Sequence, residues 1–209
     1  PLRWIASRLI GTAARRFGVT ATDISDLYNG TSITTNLVGH WLTDVDDVED
    51  KAGSNNGTNY GTKYSYDNPS PPVEFGRASR SFNGSSDYID LGDSDDFSFT
   101  DGAGNDQPFS LCCWAKMDSN DRFRVLHKSA VVGGSAINEL FFGTLGSGEH
   151  CLLLSSGDGF WYGINTPSAI VENEWVHISA TYDGSGGVNF RDGMNIYLNG
   201  VAVSPVVYG

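Results

Sequence analysis

Along most of this chain apolar residues recur at every second position in short runs, and clusters of Gly, Asn, Asp and Ser separate the runs. That period puts alternate side chains on opposite faces of an extended strand, so the pattern predicts an all-β protein. Residues 109–116, F-S-L-C-C-W-A-K, read as a central strand with Phe109, Leu111 and Cys113 on one face and Cys112 and Trp114 on the other. Apolar residues on both faces predict cover on each side. Residues 174–181 are predicted as a strand with Val176, Ile178 and Ala180 inward and Trp175, His177 and Ser179 opposed, or the reverse. Residues 122–128, 139–143 and 150–155 give further short strands, and residues 37–42 open the series. Residues 194–203 form a predicted hairpin about Asn199-Gly200, a pair that accepts the positive φ angles of a tight turn. Residues 81–91, S-F-N-G-S-S-D-Y-I-D-L, are predicted as a second hairpin, bent at Asn83–Asp87, with Ile89 and Leu91 alternating against Tyr88 and Asp90.

The N-terminus departs from this period. Trp4, Ile5 and Leu9 fall near helical spacing, and Arg3, Arg8, Arg15 and Arg16 occupy much of the remaining surface of residues 1–18. A short helical arm is predicted there, with residues 1–36 as arm and linker and residues 37–209 as the β domain. Four readings stay open for it: a terminal helix covering the sandwich, an arm docking on a partner subunit through Trp4, Arg8, Arg15 and Arg16, a targeting segment, and a membrane-surface helix.

Composition narrows the choice of partners. At 209 residues, with 26 Gly, seven Pro and 12% aromatic residues, the chain suits one turn-rich sandwich. The net charge is −12, and four arginines against Asp23 and Asp26 leave residues 1–36 at +2, so the remainder carries −14. Such a domain repels phosphate backbones, which argues against nucleic acid. Cys112, Cys113 and Cys151 make an odd set with no disulfide framework, read as buried thiols. No apolar run reaches membrane-spanning length and no secretory leader is visible, so synthesis in a cytosol is expected.

Taken in order, L-V-G-H-W-L at 37–42, F-N-G-S-S-D-Y-I at 82–89, F-S-L-C-C-W-A-K at 109–116, W-V-H-I-S-A-T-Y-D-G at 175–184 and Y-L-N-G at 197–200 resemble the laminin G-like, concanavalin A-like jelly-roll family over residues 37–203. The resemblance implies a jelly-roll β-sandwich. Relatives continue through one or two strands after the Asn199-Gly200 turn, so a closing strand is expected from elsewhere, and an open sheet edge invites partner subunits. It also raises glycoside hydrolysis, which needs paired carboxylates on one strand. The glutamates at 49, 74, 139, 149, 172 and 174 do not form that spacing, and no zinc or nucleophile motif appears, so no enzyme is expected.

Binding remains. Phe160, Trp161 and Tyr162, with Asp158 and Asn165 nearby, are the candidate surface for a glycan or surface protein, against the alternative of an aromatic core plug. Two acidic loops are candidates for calcium, which takes several oxygen ligands: residues 43–60, and Asp101, Asn105 and Asp106 in a glycine-rich loop. Solvated loops are the competing reading for both. The expected function is non-catalytic recognition or adhesion at a particle or cell surface. The second reading is a structural virion component of a phage, held by its arm.

Overall fold

A computed structural model describes residues 2–5, 8–10, 37–41, 48–50, 52–67, 79–101, 103–132, 135–155 and 159–209. In chain order the strands are β1 (Leu2–Ile5), β2 (Arg8–Ile10), β3 (Thr58–Tyr60), β4 (Lys63–Ser65), β5 (Ser79–Ser81), β6 (Tyr88–Gly92), β7 (Phe109–Lys116) and β8 (Arg124–Val132). They continue with β9 (Ser135–Thr144), β10 (Glu149–Leu154), β11 (Tyr162–Ala169), β12 (Trp175–Tyr182), β13 (Met194–Leu198), β14 (Val201–Ala202) and β15 (Val206–Tyr208). An eight-stranded sheet runs β15-β11-β10-β9-β8-β1-β6-β3, and a seven-stranded sheet runs β14-β13-β12-β7-β2-β5-β4. Every pairing described is antiparallel. This is the expected two-sheet β-sandwich.

Its core follows from the period-2 pattern. Val176, Ile178 and Ala180 of β12 are buried and meet Ile89 and Leu91 of β6, Leu140 and Phe142 of β9, and Leu152 of β10 in one cluster. Ile89, Leu152, Ile178 and Ile196 are fully buried, and each such side chain contributes about 1.5–3 kcal/mol relative to exposure. The predicted hairpin at Asn199-Gly200 is present: Tyr197 faces Ala202 and Leu198 faces Val201, with φ of 51° and 80° at the two turn residues.

Four expectations are corrected. Residues 2–5 and 8–10 are strands where a helix was predicted. β1 pairs with β6 and β8, and β2 pairs with β5 and β7, so ladders on both sides take up the backbone groups of runs too short to sustain a helix. Trp4 and Arg8 therefore have backbone positions inside the sheets, whereas Arg15 and Arg16 lie outside the described residues.

The second correction concerns residues 81–91, which form a corner between the sheets instead of a hairpin. β5 belongs to the seven-stranded sheet and β6 to the eight-stranded one. Asn83 Oδ1 accepts from the backbone N–H of Ser85, Ser86 and Asp87, while Asp87 Oδ2 accepts from Asn83 N at 3.0 Å. These bonds close the bend locally, so the strands leaving it need not pair with each other.

Third, residues 37–40 are not a strand, and Trp41 makes only an isolated bridge to Asp50. The buried Asp50 carboxylate takes over the job of ordering this segment, accepting from the backbone N–H of His40, Ala52 and Asn55. Of the acids in the 43–60 loop, Asp44, Asp46 and Asp47 lie outside the described residues. Fourth, β7 is not covered on both faces. Ser110 and Cys112 are exposed, and Trp114 meets His177 of β12 edge-on across that outer surface, ring centroids 5.4 Å apart. Cys113 and Cys151 are buried as expected.

Candidate functional site

Strand parity sorts the candidate aromatic residues. On β9, Leu140 and Phe142 enter the main core, whereas Phe141 joins Cys151 and Leu153 of β10 in a second cluster with Trp161 and Tyr208 packed against it. That second cluster marks the outer face of the eight-stranded sheet. One cross-strand row on this face runs Gly163, Leu153, Phe141 and His127, and the register continues through the β1 backbone at position 3 to Asp90.

Trp161, half-buried just ahead of β11, sits at one flank of the row. Its ring lies 5.9 Å from Phe141 at an interplanar angle of 67°, and 5.9 Å from His127 at 47°. The Arg124 guanidinium stands 5.9 Å from the Phe141 ring, within cation–π range. Burial, with Arg124 as a lesser cause, pulls the His127 pKa down to about 4, against a weaker opposing bond to Asn138. At neutral pH His127 is an uncharged imidazole.

At the other flank Tyr60 of β3 and Tyr88 of β6 face each other across the sheet, two positions from Thr58 and Asp90, and therefore share the outer face. Their rings stack at 4.6 Å and 13°, and Tyr60 is 46% exposed. Stacked rings open to solvent present a flat apolar surface with polar edges. Sequence reading did not select Tyr60, Phe141 or His127, and placed Tyr88 in a motif without a site role. The parity of Tyr88 with Asp90 was the available signal, but their partner strands are distant in sequence.

The five candidates of residues 158–165 do not converge. Phe160 is 66% exposed and Trp161 lies on the outer face, whereas Tyr162 turns inward and lines a cleft between the sheets. Asn165 spends its amide on the Thr166 carbonyl at 3.0 Å, and Asp158 lies outside the described residues. The core-plug alternative fits Tyr162 in part and Phe160 not at all.

The calcium candidates also point apart. Asp101 Oδ1 accepts from Ala103 N and Asn105 N, and Oδ2 accepts from Asn105 Nδ2 at 2.6 Å. These bonds, the Asn105 side chain first, hold the Asp101 carboxyl below its usual pKa. Asp106 turns to Tyr182, accepting the phenolic hydrogen at 2.6 Å. Among the described residues no three His, Cys, Asp or Glu side chains gather as a metal group. Calcium wants its oxygens convergent, and in this loop they close the loop itself.

Two antiparallel sheets packed over one core define a β-sandwich domain. The chain belongs to the concanavalin A-like lectin/glucanases superfamily, whose model matches residues 82–208, more than half of the chain. Among curated proteins it has no match. No helix among the described residues is long and apolar enough to cross a membrane.

Proposed function

We propose that this domain is a non-catalytic recognition module that holds an extended glycan on the outer face of its eight-stranded sheet. The observation that carries the reading is the pairing of two aromatic surfaces on one face, Trp161 at β11 and the Tyr60–Tyr88 stack at β3 and β6. Sugar rings have one apolar face that stacks on aromatic rings and hydroxyls that take hydrogen bonds. Asp90 and neutral His127 stand at register positions between the two surfaces. From β11 to β6 there are five strand spacings, roughly 24 Å, and Phe141 and Leu153 in the row between are buried, so an oligosaccharide would meet the two aromatic surfaces as separate contacts. Two of the glutamates are held by partners: Glu172 accepts from Asn120 N at 2.7 Å, and Glu139 pairs with Lys128 at 3.0 Å.

The superfamily's name supports a ligand-binding reading of this kind, with surface display the natural setting. Anchoring by an arm is not carried forward, since the candidate arm residues Trp4 and Arg8 fall in sheet strands.

The test is a glycan array probed with the native chain, Trp161→Ala and Tyr60→Ala, each checked for folding by circular dichroism. Binding to a set of related oligosaccharides, lost in both folded variants, is the expected result. An array with no hits, or hits that survive both substitutions, would sink the proposal.

A further inference from the structure

Tyr162 leads to a different part of the molecule. A cleft of about 620 Å³ opens between the sheets at the end where β10 finishes and β11 begins, a size within the usual range for small-molecule sites. Its walls carry six rings: Phe97, Phe99, Phe109, Tyr162, Tyr182 and Phe190. They interlock. Phe99 stacks on Phe109 at 4.1 Å, Phe109 meets Tyr182 edge-on at 5.6 Å, and Tyr182 meets Phe190 edge-on at 6.5 Å. Leu140 and Leu154 complete the apolar lining.

Most polar groups at the cleft have partners of their own, the buried Arg191 Nε being an exception. The buried Lys128 donates to Ser94 O at 3.1 Å, to Ser98 Oγ and to Glu139 Oε2 at 3.0 Å. Tyr182 donates to Asp106 and its oxygen accepts from Gly186 N at 2.8 Å. The Arg191 guanidinium lies 5.3 Å from both the Tyr162 and Phe190 rings and donates to Gly209 O at 3.0 Å. Of the charged residues lining the cleft, Glu139 is paired with the buried Lys128 behind the wall, which leaves one acid, Asp106, and one base, Arg191. The lining therefore has no excess of either sign, and an anion would also approach a chain of net charge −12.

We propose that this cleft is a second binding site, separate from the outer face, for a neutral small molecule with an aromatic or alicyclic ring. The ring packs among Phe99, Phe109, Tyr182 and Phe190, and the inference does not depend on glycan binding.

The probe is N-phenyl-1-naphthylamine, a neutral aromatic dye whose emission rises in apolar surroundings, titrated into the native chain, with methyl resonances followed in parallel. Saturable one-to-one binding with shifts at the Leu140 and Leu154 methyl groups is expected. Ser155→Trp, which places an indole in the cleft, should weaken binding by about tenfold or more, and 1-naphthoate, the charged counterpart, should bind about tenfold more weakly than the dye. No saturable binding, shifts confined to residues outside the cleft, or a preference for naphthoate would each overturn the proposal. If Ser155→Trp does not fold, the methyl shifts of the native chain decide.

Discussion

Tyr182 donates its phenolic hydrogen to Asp106 across 76 positions of sequence, at 2.6 Å. The bond ties the end of β12 to the loop after Phe99, where the cleft opens. Burial and the neighbouring Asp106 push the Tyr182 pKa from 10.0 to about 12. The unfolded chain loses this proton near pH 10 and the folded one nearer 12, so the contribution is complete below pH 10 and fades as pH rises toward 12. Thermal melts from pH 8 to 12 should show this fall in the native chain and a shallower one in Tyr182→Phe. At pH 7 that variant should lose about 1–2 kcal/mol. Equal slopes in the two proteins would show that the hydroxyl is not the titrating group.

Asp67 joins two strands of the seven-stranded sheet. Its Oδ1 accepts from the Trp175 indole at 3.0 Å and its Oδ2 from Lys116 Nζ at 3.0 Å. Its side chain is 30% exposed, so water can replace part of what is lost. Asp67→Ala is expected to cost about 1–2 kcal/mol in urea denaturation. Raising the salt concentration should recover little, because the indole bond involves only one charge. A neutral substitution would place Asp67 at the surface of the energetics.

His150 is fully buried edge-on against Phe142, ring centroids 4.7 Å apart, with both ring nitrogens lacking a hydrogen-bond partner. Burial drives its pKa from 6.5 to about 3. The unfolded chain takes up a proton near pH 6.5 while the folded chain refuses it until about pH 3. Stability is therefore full above 6.5 and falls on acidification, at about 1.4 kcal/mol per pH unit for this site. His127, pulled to about 4, adds to the same slope. Denaturant midpoints between pH 7 and 4 should fall steeply in the native chain and less so in His150→Leu. If the two chains track each other, His150 is not the source.

The loop at Asp101 offers a test of calcium. Because Asp101 and Asn105 bind each other and Asp106 binds Tyr182, the melting temperature should be the same with calcium and with chelator. A melting temperature that climbs with calcium would mean that these oxygens rearrange to converge, or that ligands come from residues outside those described.

What could be read from the residues was whatever depends on neighbours in sequence. Asn199-Gly200 announced its turn, and the alternation of Val176, Ile178 and Ala180 announced the buried face of β12. Asn83 to Asp87 announced a bend but not which strands it would join, because sheet membership is decided by distant partners. Leu2 to Ile10 misled for the same reason: in runs this short helical and extended spacing look alike, and pairing with β6, β8, β5 and β7 settles the matter. The candidate residues divide for a related reason: Trp161 and Tyr162 are adjacent, and neighbours in extended backbone point to opposite faces, so Trp161 lies on the outer face and Tyr162 at the cleft.

The placement of β1 also bears on how the protein is made. Leu2 pairs with Gly92 and with Lys128, so β1 gains one neighbour when β6 is made and its second only after β8 has left the ribosome. Until then one side of β1 has no neighbour, although β6, β5 and β7 are already available to β1 and β2. Pairing across such long separations in sequence slows the completion of folding, however favourable the finished sheets become.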